Sequence, residues 1–304
     1  MLVVLNAKAG HLLDLGAEPM RRQVDSALSR AGMDVKVEVA AGDDLAALLR
    51  EAPEAGYDTV VVGAGDGTLS AAAALYANTG TVLGVLPLGT MNLLAHDIGL
   101  PRDLAGALAA LADARPMRID LGTLNGRPFH SVSGVGFFSQ MALAREQERE
   151  RHGRVAGWLI ALAKAAFRAG RMSLELELAG ASHPVEAYAA LVTVNAFDAP
   201  GLHRSRLDGG LLEVLVAEDR GALARLRAGA DVLVGGWRDN PGIHVLTARR
   251  VTIHARRSRA WVATDGEAAR ESLPLRYAIA PGALNLLVPR AAPQWRVHVR
   301  EDIT

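Results

Sequence analysis

The chain of 304 residues contains no cysteine. Disulfide staples, thiolate metal sites and a cysteine nucleophile are therefore excluded together, and the composition fits a reducing compartment, so the cytoplasm is the expected location. Aromatic residues are scarce, and among the 33 basic residues only Lys8, Lys36 and Lys164 are lysines. Neither sign of charge is in excess. The 33 basic residues balance 33 acidic ones, which speaks against a dedicated nucleic-acid binder. Long hydrophobic runs are also missing. Leu2 to Leu5 is too short for the apolar part of a signal peptide and has no basic residue ahead of it. Val155 to Phe167 is interrupted by Lys164 and falls short of the ~20 residues of a membrane span. His96, His130, His152, His203 and His244 are dispersed, without the spacing of a zinc motif, and no Gly-x-Ser-x-Gly nucleophile elbow occurs.

Half of the residues are hydrophobic, enough for sizeable cores, and the length suits two domains. Residues 1–119 alternate strand-like runs with helical patterns: Leu2-Leu5 then 18–31, Val35-Val39 then 43–51, Thr59-Val62 then 68–78, Val82-Leu86 then 102–113. Such alternation predicts an α/β lobe with a mostly parallel sheet covered on both faces. Beyond Ile119 the period changes to two, most clearly in Ser173-Leu-Glu-Leu-Glu-Leu178 and in parts of 186–195, 211–217, 249–254 and 259–264, the pattern of half-buried antiparallel strands. A β-rich second domain is therefore expected over 120–289. Helical insertions are expected near 140–170 and 220–236, and a tail, 290–304, that packs back on the first lobe.

Thr59-Val-Val-Val62 runs directly into Gly63-Ala64-Gly65-Asp66-Gly67-Thr68 and then into a helical segment. A strand, a glycine-rich turn and a helix N-terminus form a phosphate cradle, because glycine permits close backbone approach and the free N–H groups face the anion. Asp66 beside a phosphate suggests Mg²⁺-nucleotide chemistry; the same residue also fits a plain helix N-cap. The next strand leads into Pro87-Leu88-Gly89-Thr90-Met91-Asn92, and neighbouring strand ends open on one crevice. A third turn, Asn6-Ala7-Lys8-Ala9-Gly10, follows the first strand. None of these is a Walker A loop or a dinucleotide-binding fingerprint. Asp265-Gly266-Glu267 after Arg259 to Thr264 reads by spacing as a hairpin turn.

These loops, with Asp120-Leu-Gly122, Phe129 to Phe137, Leu207-Asp208-Gly-Gly-Leu-Leu-Glu213, Asp265-Gly266-Glu267 and Pro281-Gly-Ala-Leu284, resemble the diacylglycerol kinase catalytic-domain family. The likeness is to its bacterial soluble lipid kinases, which are related to sphingosine kinases and more distantly to NAD kinases. The resemblance covers nearly the whole chain and implies an NAD-kinase-like N-terminal lobe, a C-terminal β-sandwich, and transfer of the ATP γ-phosphoryl to a lipid hydroxyl, diacylglycerol first among candidates. It implies that Asn6 to Gly10, Gly63 to Thr68, Thr90 and Asn92 hold ATP, that Asp66 and Asp120 organise Mg²⁺, and that Glu267 is the general base. The family's usual first glycine is Ala64, an acidic residue common after the Gly-Thr-x-Asn asparagine is Leu93, and the threonine often found after the second strand is replaced by Ala40-Ala41. Gly209 takes the place of a metal-ligand aspartate, leaving Asp208 one residue early as the candidate ligand. An NAD kinase-like enzyme and an inactive lipid- or nucleotide-binding protein are the alternatives; the second lobe has no Thr-Pro-Thr-Gly-Ser-Thr-like stretch. A lipid substrate implies work at the membrane surface. The segment from Arg151 to Arg171, with Arg154, Trp158, Lys164, Phe167 and Arg168, is the expected point of peripheral contact.

Overall fold

The structure, a computed structural model, describes residues 1–10, 12, 16–152, 157, 160, 161, 164, 165, 167–178, 180–198, 203–221, 224, 225, 228, 231, 236–292 and 294, with backbone alone over 145–152. Two compact units emerge. The first comprises Met1–Leu121, Ser205–Asp208 and Pro281–Thr304, the second Gly122–Arg204 and Gly209–Ala280. The sequence-based division at residues 119 and 289 is contiguous, whereas the first unit is assembled from three chain segments.

In the first unit, strands β1 (Leu2–Asn6), β2 (Lys36–Ala40), β3 (Thr59–Ala64) and β4 (Val82–Pro87) pair in parallel in the order β4-β3-β1-β2. Their near-continuous apolar runs, buried throughout in Val60 to Val62, are what a sheet covered on both faces requires. The helices between them are α1 (Ala17–Arg30), α2 (Gly42–Glu51), α3 (Asp66–Tyr76), α4 (Leu93–Asp97) and α5 (Leu104–Ala112). In α1 the buried residues Met20, Val24 and Leu28 recur every fourth position, so one stripe faces the core. They join Val3, Leu5, Val61, Leu86, Leu108 and Leu287 in a single cluster. Asp103 caps α5 by accepting from Gly106 N at 2.8 Å.

The second unit is antiparallel, with strands β6 (Arg127–Phe129), β7 (Val132–Gly136), β8 (Met172–Leu178), β9 (Ala181–Val194), β10 (Leu212–Glu218), β11 (Ile243–Ala248), β12 (Arg250–Ala255), β13 (Arg259–Thr264) and β14 (Glu267–Ser272). The period-two reading of 173–178 holds: Leu174, Leu176 and Leu178 are buried while Ser173, Glu175 and Glu177 are exposed. The long strand β9 carries β8 and β7 in succession and also pairs with β10, and its inner residues join Val214, Ile253, Val262 and Tyr277 in the core. Of the expected insertions, α6 (Phe137–His152) begins the first. Most of the remainder, including Arg154 and Trp158, lies outside the described residues, as do most of 220–236 and, in the tail, 293 and 295–304. Among the described residues no helix is long and apolar enough to cross a membrane.

Two strands escape the sequence reading. Strand β5 (Ala114–Leu124) crosses the expected boundary, and β15 (Leu275–Pro289), which runs through Pro281-Gly282, is not among the expected strands. The strand continues because Gly282 adopts φ 57° and its N–H, out of ladder register, donates to Asp120 Oδ1 at 2.8 Å. The first residues of β15 pair antiparallel with β12, and Asn285 and Leu286 pair in parallel with β4.

Candidate functional site

Three of the predicted loops come together in the first unit. Each ends a parallel strand, and side chains tie them in series. Asn6 Nδ2 donates to Thr68 Oγ1 at 3.0 Å, while Asn6 Oδ1 accepts Lys8 N at 2.9 Å and shapes the first turn. Asp66 reaches the third loop: its Oδ2 accepts Asn92 N at 2.9 Å and its Oδ1 accepts Leu93 N at 2.7 Å. Asn92, at φ 49°, folds its own loop by accepting Gly89 N at 2.9 Å and donating to Gly89 O at 3.0 Å. The approach is so close that a Cβ on Gly89 would lie 2.5 Å from Gly65 Cα, and one on Gly63 would lie 2.5 Å from Leu5 Cδ2. At Gly89 the obstacle is backbone, so glycine is required there for steric reasons; at Gly63 it is the ends of the Leu5 and Leu88 side chains, which would have to shift.

The consequence for anion binding lies in α3. Asp66 opens that helix but caps the start of α4 instead, and Gly65 supplies no side-chain cap. The first helical bond runs from Leu69 N to Gly65 O, so the N–H groups of Asp66, Gly67 and Thr68 lie ahead of it at the positive end of the helix dipole. Thr90 is exposed beside them, as are Lys8 and Gly10, and Ala7 is half-buried. Ala64 and Ala9 are buried, Ala64 as the last residue of β3 and Ala9 through its N–H to Asn6 O at 2.9 Å. Ala7 N donates to Ala40 O at 2.9 Å, extending the β1–β2 ladder.

The other acidic candidates stand differently. Asp120 is 3% exposed; its N–H donates to Leu207 O at 2.7 Å and its carboxylate holds Gly282 N. It thereby joins the three chain segments of the first unit. Asp208 lies 3.3 Å from Arg206 Nε, and among the described residues no three His, Cys, Asp or Glu side chains gather for a metal. The donors nevertheless fit a nucleotide-borne Mg²⁺. Each Asp66 oxygen accepts one N–H and keeps a lone pair, and such an ion takes most of its ligands from phosphate and water.

In the second unit Asp265-Gly266 forms a two-residue hairpin turn, with Thr264 paired to Glu267 and φ of 48° and 91° at the two turn positions. Both angles suit an Asp-Gly turn. Glu267 is exposed at the start of β14. Asp265, which the sequence reading left without a role, is 1% exposed; its Oδ2 accepts His130 N at 2.9 Å, and its Oδ1 accepts Ser131 N at 2.9 Å and Val132 N at 3.1 Å. Three N–H donors balance the buried charge and pin the turn that carries Glu267. Behind it Ser133 Oγ joins Thr264 Oγ1 and Tyr277 Oη, and burial pushes the Tyr277 hydroxyl well above its ordinary value. The Asp-Gly pair announces such a turn. Nothing in the sequence announces its partners 133 to 135 residues away.

Residues 1–124 match the diacylglycerol kinase catalytic domain, and residues 131–288 match the YegS C-terminal NAD kinase beta sandwich-like domain. A probable lipid kinase YegS-like of Pseudomonas aeruginosa is 32% identical, with 99% of this chain and 98% of that protein covered. A diacylglycerol kinase of Mycobacterium tuberculosis is 31% identical over 86% of this chain and 87% of its own length. The crystal structure of a diacylglycerol kinase from Bacillus anthracis superposes with a TM-score of 0.75 at 20% identity, covering 95% of this chain and 97% of that one, a likeness of fold. On its loops, its two-unit architecture and these similarities, the chain belongs to the lipid kinase family that joins a diacylglycerol kinase catalytic domain to a YegS-like C-terminal β-sandwich.

Proposed function

We propose that the protein transfers the γ-phosphoryl group of ATP to the hydroxyl of a lipid, with diacylglycerol the first acceptor to test. The observation that carries this reading is the bonded series of three loops, in which the Asp66 carboxylate accepts Asn92 N and Leu93 N and leaves the N-terminus of α3 open. Backbone N–H groups of Asp66, Gly67 and Thr68, with Asn6, Lys8, Gly10, Thr90 and Asn92 around them, suit the polyphosphate of a nucleotide. Mg²⁺ bound with ATP would neutralise phosphate charge, with Asp66 and Asp120 as the carboxylates offered to its hydration shell; Asp208 is held by Arg206 and is a weaker candidate.

The acceptor oxygen forms a bond to the γ-phosphorus as the bond to the β-phosphate oxygen breaks, and the hydroxyl proton passes to the Glu267 carboxylate. Glu267 suits that task because it is exposed while its turn is pinned by Asp265. A lipid acceptor places the reaction at a membrane surface, and ATP supply places it on the cytoplasmic side. Phe167, 90% exposed next to exposed Arg168, supports contact with lipid from the basic segment.

Phosphate transfer from radiolabelled ATP to lipids in mixed micelles with Mg²⁺ tests the reading. Wild type should label one lipid class. Glu267→Gln should lower the rate about 100-fold or more through loss of the base, and Asp66→Ala should lower it by a similar factor through collapse of the loop contacts. Wild-type binding of ATP and lipid without turnover would establish the inactive binding protein, for which Leu93 in place of an acid is the reason at hand.

A further inference from the structure

The second unit contains a cleft of about 570 Å³ to which neither the nucleotide loops nor Glu267 contributes. It lies where the β13–β14 hairpin meets the Leu273-Pro274 bend and the turn at Asn125, and Arg127, Arg259, Arg270 and Arg276 line it with a single carboxylate, Glu271. Four guanidinium groups less one carboxylate leave a formal charge of +3 around one opening. Glu271, 8% exposed, is committed to Arg127. Arg270 stacks over the Trp261 ring at 5.9 Å, and neither Arg259 nor Arg276 has an ion-pair partner among the described residues.

The arrangement is pre-formed. Arg259 lies opposite Ser272 and Trp261 opposite Arg270 in the hairpin register, so these residues share one sheet face. Asn125 fastens the bend: its N–H donates to Arg276 O at 2.8 Å, its Oδ1 accepts Arg276 N at 3.0 Å, and its Nδ2 donates to Ser272 O at 3.2 Å. Like charges held close on rigid strands repel one another unless an anion joins them, and planar guanidinium forks match the oxygens of a phosphate group. Trp261 is 39% exposed on the same face, an amphipathic ring of the kind that rests at the level of lipid headgroups.

We propose that this cleft binds a phosphate group, presented by the headgroup of an anionic phospholipid. The site would be separate from phosphoryl transfer, and its test needs no turnover. The full chain is sedimented with phosphatidylcholine vesicles with and without phosphatidylglycerol, and inorganic phosphate is titrated calorimetrically in parallel. Phosphatidylglycerol should increase binding. The double variant Arg259→Gln/Arg276→Gln should weaken that binding about tenfold or more, whereas Arg256→Gln/Arg257→Gln, in the exposed turn just before β13, should leave it near wild type. Cleft-dependent binding of inorganic phosphate without cleft-dependent vesicle binding would keep the phosphate site and assign it to a soluble ligand. Equal loss in the two double variants, or none in either assay, would overturn the proposal.

Discussion

Asp66, Asp120 and Asp265 perform one physical task in three places. Each accepts from backbone N–H groups that the regular ladder does not serve: Asn92 and Leu93 at the start of α4 for Asp66, the positive-φ Gly282 within β15 for Asp120, and residues 130–132 between β6 and β7 for Asp265. An unpaired buried N–H is costly, and a carboxylate satisfies it strongly. Their presence in glycine-containing motifs is visible in the sequence, but their acceptor role is not, because the donors lie 26, 162 and 134 residues away. Tyr76 is a further case. It is 1% exposed, its hydroxyl donates to Leu49 O at 2.8 Å, and burial pushes its pKa up to about 12. A raised pKa means that the neutral form stabilises the fold fully below the unfolded value near 10, and that this stabilisation is lost as pH climbs towards the folded value. Tyr76→Phe should therefore cost about 1–2 kcal/mol near neutral pH by stripping Leu49 O of its donor. Its stability, from urea denaturation, should also fall less steeply than wild type between about pH 10 and 12. Parallel curves would show that Tyr76 does not carry the alkaline dependence.

At the scale of elements, the alternating period of 173–178 and the apolar runs of β1, β3 and β4 were legible because burial on one face or two leaves a direct imprint on residue order. Strands β5 and β15 were not; in β15 Pro281-Gly282 carries the local signal of a turn, and pairing with distant strands together with the bonds from Gly282 N to Asp120 and from Arg118 to Gly282 O holds the chain extended. The β13–β14 hairpin joins both situations: Asp265-Gly266 specifies its turn, and the backbone at 130–132 specifies where that turn is held. Asp265→Ala should leave three buried donors without an acceptor and destabilise the second unit by about 2–4 kcal/mol. If the turn is what presents Glu267, a lipid kinase assay on the folded fraction of this variant should also show a lowered kcat with KM for ATP unchanged. Full kcat in the folded fraction would mean that Glu267 needs no such support.

For the whole molecule, the decisive feature is that the first unit recruits its last strand from beyond the second. Residues 281–289 place Leu284, Leu286 and Val288, each at most 1% exposed, beside β4. A chain ended at Ala280 would lose burial worth on the order of 5–8 kcal/mol and expose the β4 edge. That is comparable to the whole stability of a domain. Such a chain should lose cooperative thermal unfolding of the first unit and aggregate on refolding; a truncated chain that melts like wild type would show that 281–289 is dispensable. Taken alone, the sequence determined the α/β-then-β order, the glycine-rich loops at three strand ends and the family, because periodicity and loop chemistry are local properties. Tertiary structure decided which backbone donors the three aspartates hold, that β15 contributes residues to both units, and that Arg127, Arg259, Arg270 and Arg276 share one cleft. Those outcomes depend on contacts between residues far apart in the chain, whose partners leave no mark on their neighbours in sequence.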